Sequence, residues 1–352
     1  MDFVDWSLSI QIPIIYLTIC ISVPSMALYI AEIVTIVRHK QFHNSFYALF
    51  VMRAIPDWLG VLNSFYGNRL PTIIGAVLYP IYSNFPNWML AMFLFLSGHT
   101  FQANNLVTAF ILLNRLTAII MPIKHEKIWQ KFLPFILIFV YFVPTLWYCP
   151  VFKMNAIIQL NDPNSTKDRS FLVFEAGDAP ITKYFADVGC AFSAIFMIIC
   201  ILINICTFVA YKLHMKKVGT NGNNNGVEIE KKLLFYALAT FLGHAIVASF
   251  YLASAITNFD DPKTRAIFFI YYPLVIDTGT VVLSSWLLLW ASGTIRQQLL
   301  NDLTIIRLTN RSNIRVGTIE GLRNNNHRAV GGAVGHQLQN RICNANQLLT
   351  IS

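Results

Sequence analysis

Seven apolar stretches of about twenty residues or more divide this chain of 352 residues. An α-helix needs about 20 apolar residues to cross the roughly 30 Å hydrocarbon core of a bilayer. Because lipid offers no hydrogen-bond partners to the backbone, each crossing stretch must be helical. The sequence therefore predicts an all-α membrane protein, a bundle of seven transmembrane helices. The predicted spans are 12–37, 46–66, 89–117, 133–152, 185–211, 233–257 and 266–292.

The composition also places the chain in a bilayer. Hydrophobic residues make up 55% of the sequence and charged residues only 12%, whereas a soluble domain averages about 25% charged residues. The net charge is +9, but the lysines and arginines fall between apolar stretches instead of on a soluble face, which excludes nucleic-acid binding. The six cysteines form no Cys-x-x-Cys pair, so neither a zinc site nor a disulfide scaffold is expected.

The distribution of positive charge predicts the orientation of the bundle. One set of connections and the C-terminal tail hold eighteen lysines and arginines, while the opposite set holds seven. Cytoplasmic loops are enriched in these residues, so residues 1–11 are predicted outside and residues 293–352 inside. Within that tail, 294–308 is expected to form a short amphipathic helix before a disordered end. The apolar segment 71–82 is too short to span the membrane. The long loop between the fourth and fifth spans is predicted outside and carries a predicted glycosylation site at Asn164.

Asn114 and Arg115 lie at the inner end of the third span, and Pro122 follows seven residues after the arginine. This spacing puts a permanently charged guanidinium where a helix leaves the bilayer. The stretch resembles the Asp-Arg-Tyr segment of rhodopsin-like receptors, with asparagine in place of the acid and Leu116 in place of tyrosine. The resemblance implies a cytoplasmic switch that contacts a G protein through Asn114, Arg115 and Pro122.

Three charged residues lie well away from the ends of the predicted spans. Arg53 and Asp57 are four residues apart in the second span, so they are expected to pair on one helix face. Each alone would cost roughly 2.5–3.5 kcal/mol at the bilayer centre. Asp277 of the seventh span is expected to complete a polar network with Asp57. These residues either form a fixed ion pair that sets helix register or mark a path for ions.

The third span carries polar residues every three or four positions, at Ser97, Thr100, Asn104 and Thr108. Such a stripe turns one face away from lipid. It either joins the helices through hydrogen bonds or lines a ligand cavity with its outer part. The candidate pocket residues are His99, Gln102, Asn104, Asp187 and His244.

No enzyme signature is present in the sequence. A Gly-x-Ser-x-Gly motif, a phosphate-binding Gly-rich loop and a carboxylate pair at an aqueous cleft are all missing. His39 and His43 have a helical spacing, but no glutamate follows the first, so the zinc peptidase motif is incomplete. The sequence therefore predicts no catalytic residue, no cofactor and no metal site.

Three segments together resemble one receptor family. They are the run 113–119 around Asn114-Arg115, the pair Ile128-Trp129, and the run 45–50 that opens a second span containing Asp57. With seven spans, the chain resembles the nematode serpentine chemoreceptors of the class gamma superfamily, either class gamma or class V. The resemblance implies a G-protein-coupled receptor in the plasma membrane of sensory neurons. It would bind a small molecule and signal through a heterotrimeric G protein.

Two other function classes remain open from the sequence. One is an ion channel or transporter in which Arg53, Asp57 and Asp277 line an ion path. No internal repeat is visible, which argues against transporters built from paired halves. The other is a scaffold that traffics other receptors to the membrane.

Overall fold

The computed structural model describes residues 6, 10–160, 170–176, 181–218, 224–256 and 262–304. Within this part of the chain, seven helices are long and apolar enough to cross a membrane. The prediction of seven spans in a nearly all-helical protein is thus confirmed. The chain divides into two units, 1–299 and 300–352, and the first unit contains the whole bundle.

The spanning helices are numbered α1 to α7 in chain order. Helices α2 and α7 each consist of three consecutive helical pieces, whereas the other five are single α-helices. A further helix, α8, covers 293–304. The bounds are α1 Gln11–Arg38, α2 Ser45–Ile73, α3 Asn87–Ile120, α4 Pro122–Tyr148, α5 Ile181–Val218, α6 Asn224–Ile256, and α7 in the pieces Pro262–Asp277, Thr278–Val282 and Leu283–Ala291.

Local sequence signals set the ends of two helices at the end of the bundle that is predicted to face the cytoplasm, which we call the inner end. The Asn44 side chain caps α2 by accepting a hydrogen bond from the Tyr47 backbone amide at 3.2 Å, as asparagine commonly does before a first turn. Pro122 is the first residue of α4, a position where the missing amide hydrogen costs nothing. Only Met121 therefore separates α3 from α4.

Helix α3 is fully enclosed over its middle part. All ten residues of 99–108 are buried. In contrast, α4 and α5 expose large apolar side chains such as Phe135, Ile198 and Phe208. A helix that is apolar on an exposed face suits lipid contact, so α4 and α5 lie at the edge of the bundle and α3 lies inside it.

Two π-helical turns interrupt α2 and α7, at Phe65–Arg69 and at Thr278–Val282. A π turn inserts an extra residue and changes which face the following residues present. The sequence prediction ended the second span at residue 66 and counted Arg69 in an outer loop. That assignment is wrong, because α2 continues to Ile73 and Arg69 is only 1% exposed. The orientation count becomes more asymmetric without this arginine.

A β-hairpin follows α4, in a loop where the sequence predicts no strand. Ala156–Leu160 pairs antiparallel with Phe171–Glu175. The Asn87 side chain at the start of α3 donates to the Met154 carbonyl at 2.7 Å and accepts from the Ala156 amide at 2.7 Å. The hairpin is thereby tied to the central helix. The predicted glycosylation site at Asn164 lies outside the described residues.

Aromatic side chains hold the short helix Gly75–Tyr82 under this hairpin. Phe171 is fully buried and makes edge contacts with Tyr79 and Tyr82, at ring-centroid distances of 6.0 and 5.2 Å. Tyr82 also stacks on Phe85 at 4.8 Å. The predicted non-spanning segment 71–82 thus forms helical turns that pack beneath the hairpin.

Helix α8 begins at 293, one residue before the predicted amphipathic segment 294–308, and is described as far as 304. Ile295 is fully buried, and its backbone amide donates to the Ser292 hydroxyl at 3.3 Å. Residues 305–352, including the predicted disordered end of the tail, lie outside the described residues. Contact of α8 with the membrane stays a prediction.

The close crossing of α6 and α7 yields a first test. A β-carbon added at Gly279 would lie 2.8 Å from the Gly243 carbonyl oxygen and 2.5 Å from a Val247 methyl carbon. We expect Gly279→Ala to destabilise the purified protein by about 1–3 kcal/mol, because overpacking forces the helices apart. Thermal unfolding in detergent measures the effect. Gly293→Ala, whose β-carbon would have its nearest neighbour at 4.0 Å, is the control, and equal stability of the two variants would contradict the prediction.

Candidate functional site

The buried middle of α3 presents polar side chains on several sides. Since lipid cannot satisfy these groups, their partners must come from neighbouring helices. The structure supplies such partners from α2, α4, α5 and α6, so α3 is the helix on which a site inside the bundle would be built. The buried polar residues of this stretch are His99, Thr100, Gln102, Asn104, Asn105 and Thr108.

A cavity of about 150 Å³ lies beside α3, and we call it the outer cavity because the predicted orientation places it toward the outside of the cell. Its wall is mainly apolar and aromatic, and its polar atoms are hydroxyl groups, one thiol and backbone atoms. Side chains from α3, α5 and α6 form most of it, and the end of α4 closes one side. The lining residues are Leu94, Ser97, Gly98, Phe101, Tyr148, Val151, Phe185, Gly189, Cys190 and Tyr251.

A second, polar cavity of about 20 Å³ adjoins the first. Ser97, Phe101 and Tyr251 line both cavities. The polar cavity has room for about one water molecule. The acceptor atoms Oδ1 of Asp57 and Oδ1 of Asn104 have no hydrogen-bond partner among the described residues. The polar cavity therefore joins the outer cavity to the buried charges of α2.

The predicted pocket residues fall in different places. Asn104 and His244 line the polar cavity, and His244 Nε2 lies 2.5 Å from Asn105 Oδ1. The Gln102 side chain donates to the Gly189 carbonyl at 3.2 Å, next to the outer cavity. These three residues are thus brought together around α3 at the two cavities.

Two other predicted pocket residues neither line a cavity nor bond to a residue named here as lining one. His99 faces α4, where its Nε2 lies 3.1 Å from the Thr145 hydroxyl. Asp187 is exposed near the outer end of α5, where its charge can reach water. Sequence reasoning missed Phe101 and Tyr251 as lining residues, since an aromatic residue in an apolar span carries no signal that separates cavity lining from lipid contact.

Arg53 and Asp57 form the ion pair that the sequence predicts. The Arg53 Nε atom lies 3.5 Å from Asp57 Oδ2, and both side chains are fully buried. The Tyr29 hydroxyl of α1 donates to the same carboxylate oxygen at 3.2 Å. The i,i+4 spacing thus correctly predicted the Arg53–Asp57 pair, and Tyr29 fastens it to the neighbouring helix.

Asp277 has a different partner from the one expected. Its Oδ2 atom accepts hydrogen bonds from Arg69 of α2 and Ser22 of α1, and the Arg69 guanidinium also lies 4.3 Å from the Phe65 ring centroid. The expectation that Asp277 completes a network with Asp57 is therefore wrong at the level of direct contact. Arg69 is the nearer opposite charge because the π turn of α2 directs it into the bundle.

The inner ends of three helices meet at Ser45. Asn114 of α3 donates from Nδ2 to the Ser45 hydroxyl at 2.9 Å. Glu126 of α4 accepts from the Ser45 backbone amide at 2.9 Å and from the Ser45 hydroxyl at 2.8 Å. A carboxylate on a helix N-terminus is favourable, so this junction holds the start of α2 against α3 and α4.

Arg115 lies next to that junction, on an aromatic group. Its guanidinium carbon is 3.6 Å from the Phe46 ring centroid. Phe46 in turn makes an edge contact with Tyr236 of α6, at a centroid distance of 5.7 Å. Arg115 of α3 is thus linked through one α2 side chain to α6.

The Tyr47 hydroxyl lies 3.2 Å from the Ser292 hydroxyl just after α7.

Comparison with known proteins agrees with this seven-helix arrangement. The family described as "Srg family chemoreceptor" matches residues 15–299. The serpentine receptor class gamma-5 of Caenorhabditis elegans is 23% identical over 235 residues, covering 62% of this chain and 66% of that receptor. Class gamma-9 of the same organism is 28% identical over 129 residues, covering 35% of this chain and 38% of that receptor. The matched region thus spans less than two thirds of either relative's own length. Because the family match covers most of the chain, this protein belongs to the Srg family of chemoreceptors.

Proposed function

We propose that this chemoreceptor is a G-protein-coupled receptor of the plasma membrane of sensory neurons. A small molecule that enters from outside binds at the outer cavity, and the inner surface around Arg115 activates a heterotrimeric G protein. The ligand must bind one arrangement of the bundle better than the other, because equal affinity would shift no population.

The observation that carries this proposal is the position of two features on one rigid helix. Phe101 lines both cavities and Arg115 closes the inner end of the same helix α3. They are fourteen residues apart, which corresponds to about 21 Å along an α-helix. A rotation or shift of α3 at the outer cavity would therefore move the inner arginine directly.

The inner contacts are suited to stabilise the inactive arrangement of the helices, and we call the contacts among Arg115, Phe46 and Tyr236 the resting lock. Arg115 on Phe46, and Phe46 on Tyr236, connect α3, α2 and α6. A cation–π contact contributes about 0.5–2 kcal/mol, which is small enough for a ligand to overcome. Asn114 is neutral and bonds to Ser45, so it gives Arg115 no carboxylate partner. Pro122 begins α4 directly after Met121, and we assign it the role of fixing the sharp turn from α3 into α4 that meets the G protein.

The arrangement of buried charges favours a receptor over a channel or transporter. Arg53 pairs with Asp57, and Arg69 pairs with Asp277. Each pair is buried and joins or braces helices, and a buried ion pair of this kind serves structure more readily than transport. We infer that Arg53, Asp57 and Asp277 hold the helices in register.

The inner lock predicts the phenotype of an arginine substitution. We expect Arg115→Ala to raise basal G-protein output about three- to tenfold, since the lost contact with Phe46 stabilises the resting state. Phe46→Leu should have the same direction of effect. A calcium or cyclic-nucleotide reporter in transfected cells, corrected for surface expression, measures the output. Arg296→Ala removes an exposed arginine of α8 as the control, and basal and stimulated outputs that match the unsubstituted receptor would refute the role of Arg115.

The buried pair predicts a pattern across single and double substitutions. Asp277→Leu leaves the Arg69 charge buried without its partner, so we expect a loss of about 3–5 kcal/mol of stability. The double variant Arg69→Met with Asp277→Leu should regain most of that loss, because no buried charge is then left unpaired. Thermal unfolding of the purified receptor measures both.

The same variants separate the two function classes. A double variant that folds and still signals supports a structural pair. A double variant that folds well but loses an ion current or uptake, in cells without added G protein, would support the channel or transporter instead.

A further inference from the structure

Three hydroxyl groups from three helices meet between the two cavities. The Ser97 hydroxyl of α3 lies 3.2 Å from the Tyr251 hydroxyl of α6 and 3.0 Å from the Tyr272 hydroxyl of α7. The two tyrosine hydroxyls are 3.0 Å apart. We call these three residues the hydroxyl triad. Its members all line the polar cavity, and Ser97 and Tyr251 also line the outer cavity.

The remainder of the outer cavity is apolar. Leu94, Phe101, Val151 and Phe185 form much of its wall, and the Phe101 ring stacks on the Tyr251 ring at a centroid distance of 4.0 Å. None of the described residues that line this cavity carries a charged side chain. A charged ligand would therefore lose its hydration without gaining a counter-charge, which is costly.

The size of the outer cavity limits the ligand further. Its volume is about 150 Å³, and an apolar cavity of about that size in another protein holds benzene. One aromatic ring, or an aliphatic body of similar size, therefore fits. A second fused ring requires the walls to move.

We propose that the outer cavity takes a small uncharged molecule with one ring-sized apolar body and a single hydroxyl group, with the hydroxyl placed on the triad. This inference rests on the proposed function, because it names the ligand class of the same receptor site. A hydroxyl group both donates and accepts. The ligand hydroxyl can thus replace one contact of the triad and leave no member unpaired.

The triad also explains how such a ligand would act on the bundle. A hydroxyl inserted between Ser97 and the tyrosines separates α3 from α6 and α7. Arg115 of α3 lies over the Phe46 ring. Tyr236 of α6 makes an edge contact with the same ring. A ligand at the triad therefore acts on the two helices whose inner ends form the resting lock.

Binding of four simple probes tests the ligand class. Phenol and toluene have nearly the same shape and differ in the hydroxyl group, benzoate adds a charge, and 2-naphthol adds a ring. Saturable binding of each radiolabelled probe is measured on the full chain in lipid nanodiscs, with empty nanodiscs subtracted. We expect phenol to bind about tenfold more tightly than toluene, as one net hydrogen bond allows. Benzoate should bind at least about a hundredfold more weakly than phenol because its charge loses hydration, and 2-naphthol should also bind about a hundredfold more weakly because its second ring overfills the cavity.

Substitution of the triad identifies where the hydroxyl is recognised. Ser97→Ala should bring the affinities for phenol and toluene to within about twofold of each other, since the alanine cannot bond the ligand hydroxyl. Retained toluene binding shows that this variant is folded. Tyr272→Phe should have the same direction of effect. Ser83→Ala, which removes an exposed hydroxyl outside the bundle core, should keep the tenfold preference.

The outcomes distinguish this inference from the proposed function. An unchanged phenol preference in Ser97→Ala, binding of benzoate or of 2-naphthol as tight as that of phenol, or no saturable phenol binding would overturn the ligand class. Saturable phenol binding that produces no G-protein output in cells would support the ligand class and count against signalling as proposed.

Discussion

Polar side chains inside a membrane bundle must find their hydrogen-bond partners within the protein, because the lipid around them offers none. This constraint governs the position of α3. Its residues 99–108 are buried throughout and carry polar groups that bond to other helices, as Gln102 does to α5 and His99 to α4. Helix α3, with its buried polar middle, therefore lies inside the bundle, and both cavities form along it.

Charged side chains inside the bundle need partners within the protein even more than neutral polar ones do. Arg69 and Asp277 would each be costly alone in lipid, and they are brought together across α2 and α7. The two π turns stand beside this pair, since Arg69 ends one and Asp277 immediately precedes the other. We infer that the irregular turns persist because they direct the two charges toward each other, and that the pair compensates for the poorer helix geometry.

Regular periodicity accounts for what the sequence predicts well. The seven spans follow from length and hydropathy, and the Arg53–Asp57 pair follows from a four-residue spacing on one helix. The burial of Arg69 was not predicted, because an arginine near a span end usually reaches the membrane surface. The local sequence also gives no sign of the π turn that buries this side chain. The hairpin at Ala156–Leu160 escaped because its position depends on Asn87, a residue distant in sequence.

In the candidate site, too, some residues can be predicted from the sequence and others depend on tertiary packing. Asn104 and His244 stand out in sequence as polar residues in apolar spans, and both line the polar cavity. Of the hydroxyl triad only Ser97 stands out, as a member of the polar stripe of α3, since Tyr251 and Tyr272 are common residue types in membrane helices and come from two other segments. Tertiary packing alone brings them within hydrogen-bond distance.

The outside-in account requires that the outer cavity face the environment and that Arg115 face the cytoplasm. Epitope tags at the two termini of the full chain, probed with antibodies on intact and then permeabilised cells, test this directly. The account predicts that the N-terminal tag is labelled on intact cells and the C-terminal tag only after permeabilisation. Labelling of both tags from the same side of intact cells, or of the C-terminal tag alone, would contradict it.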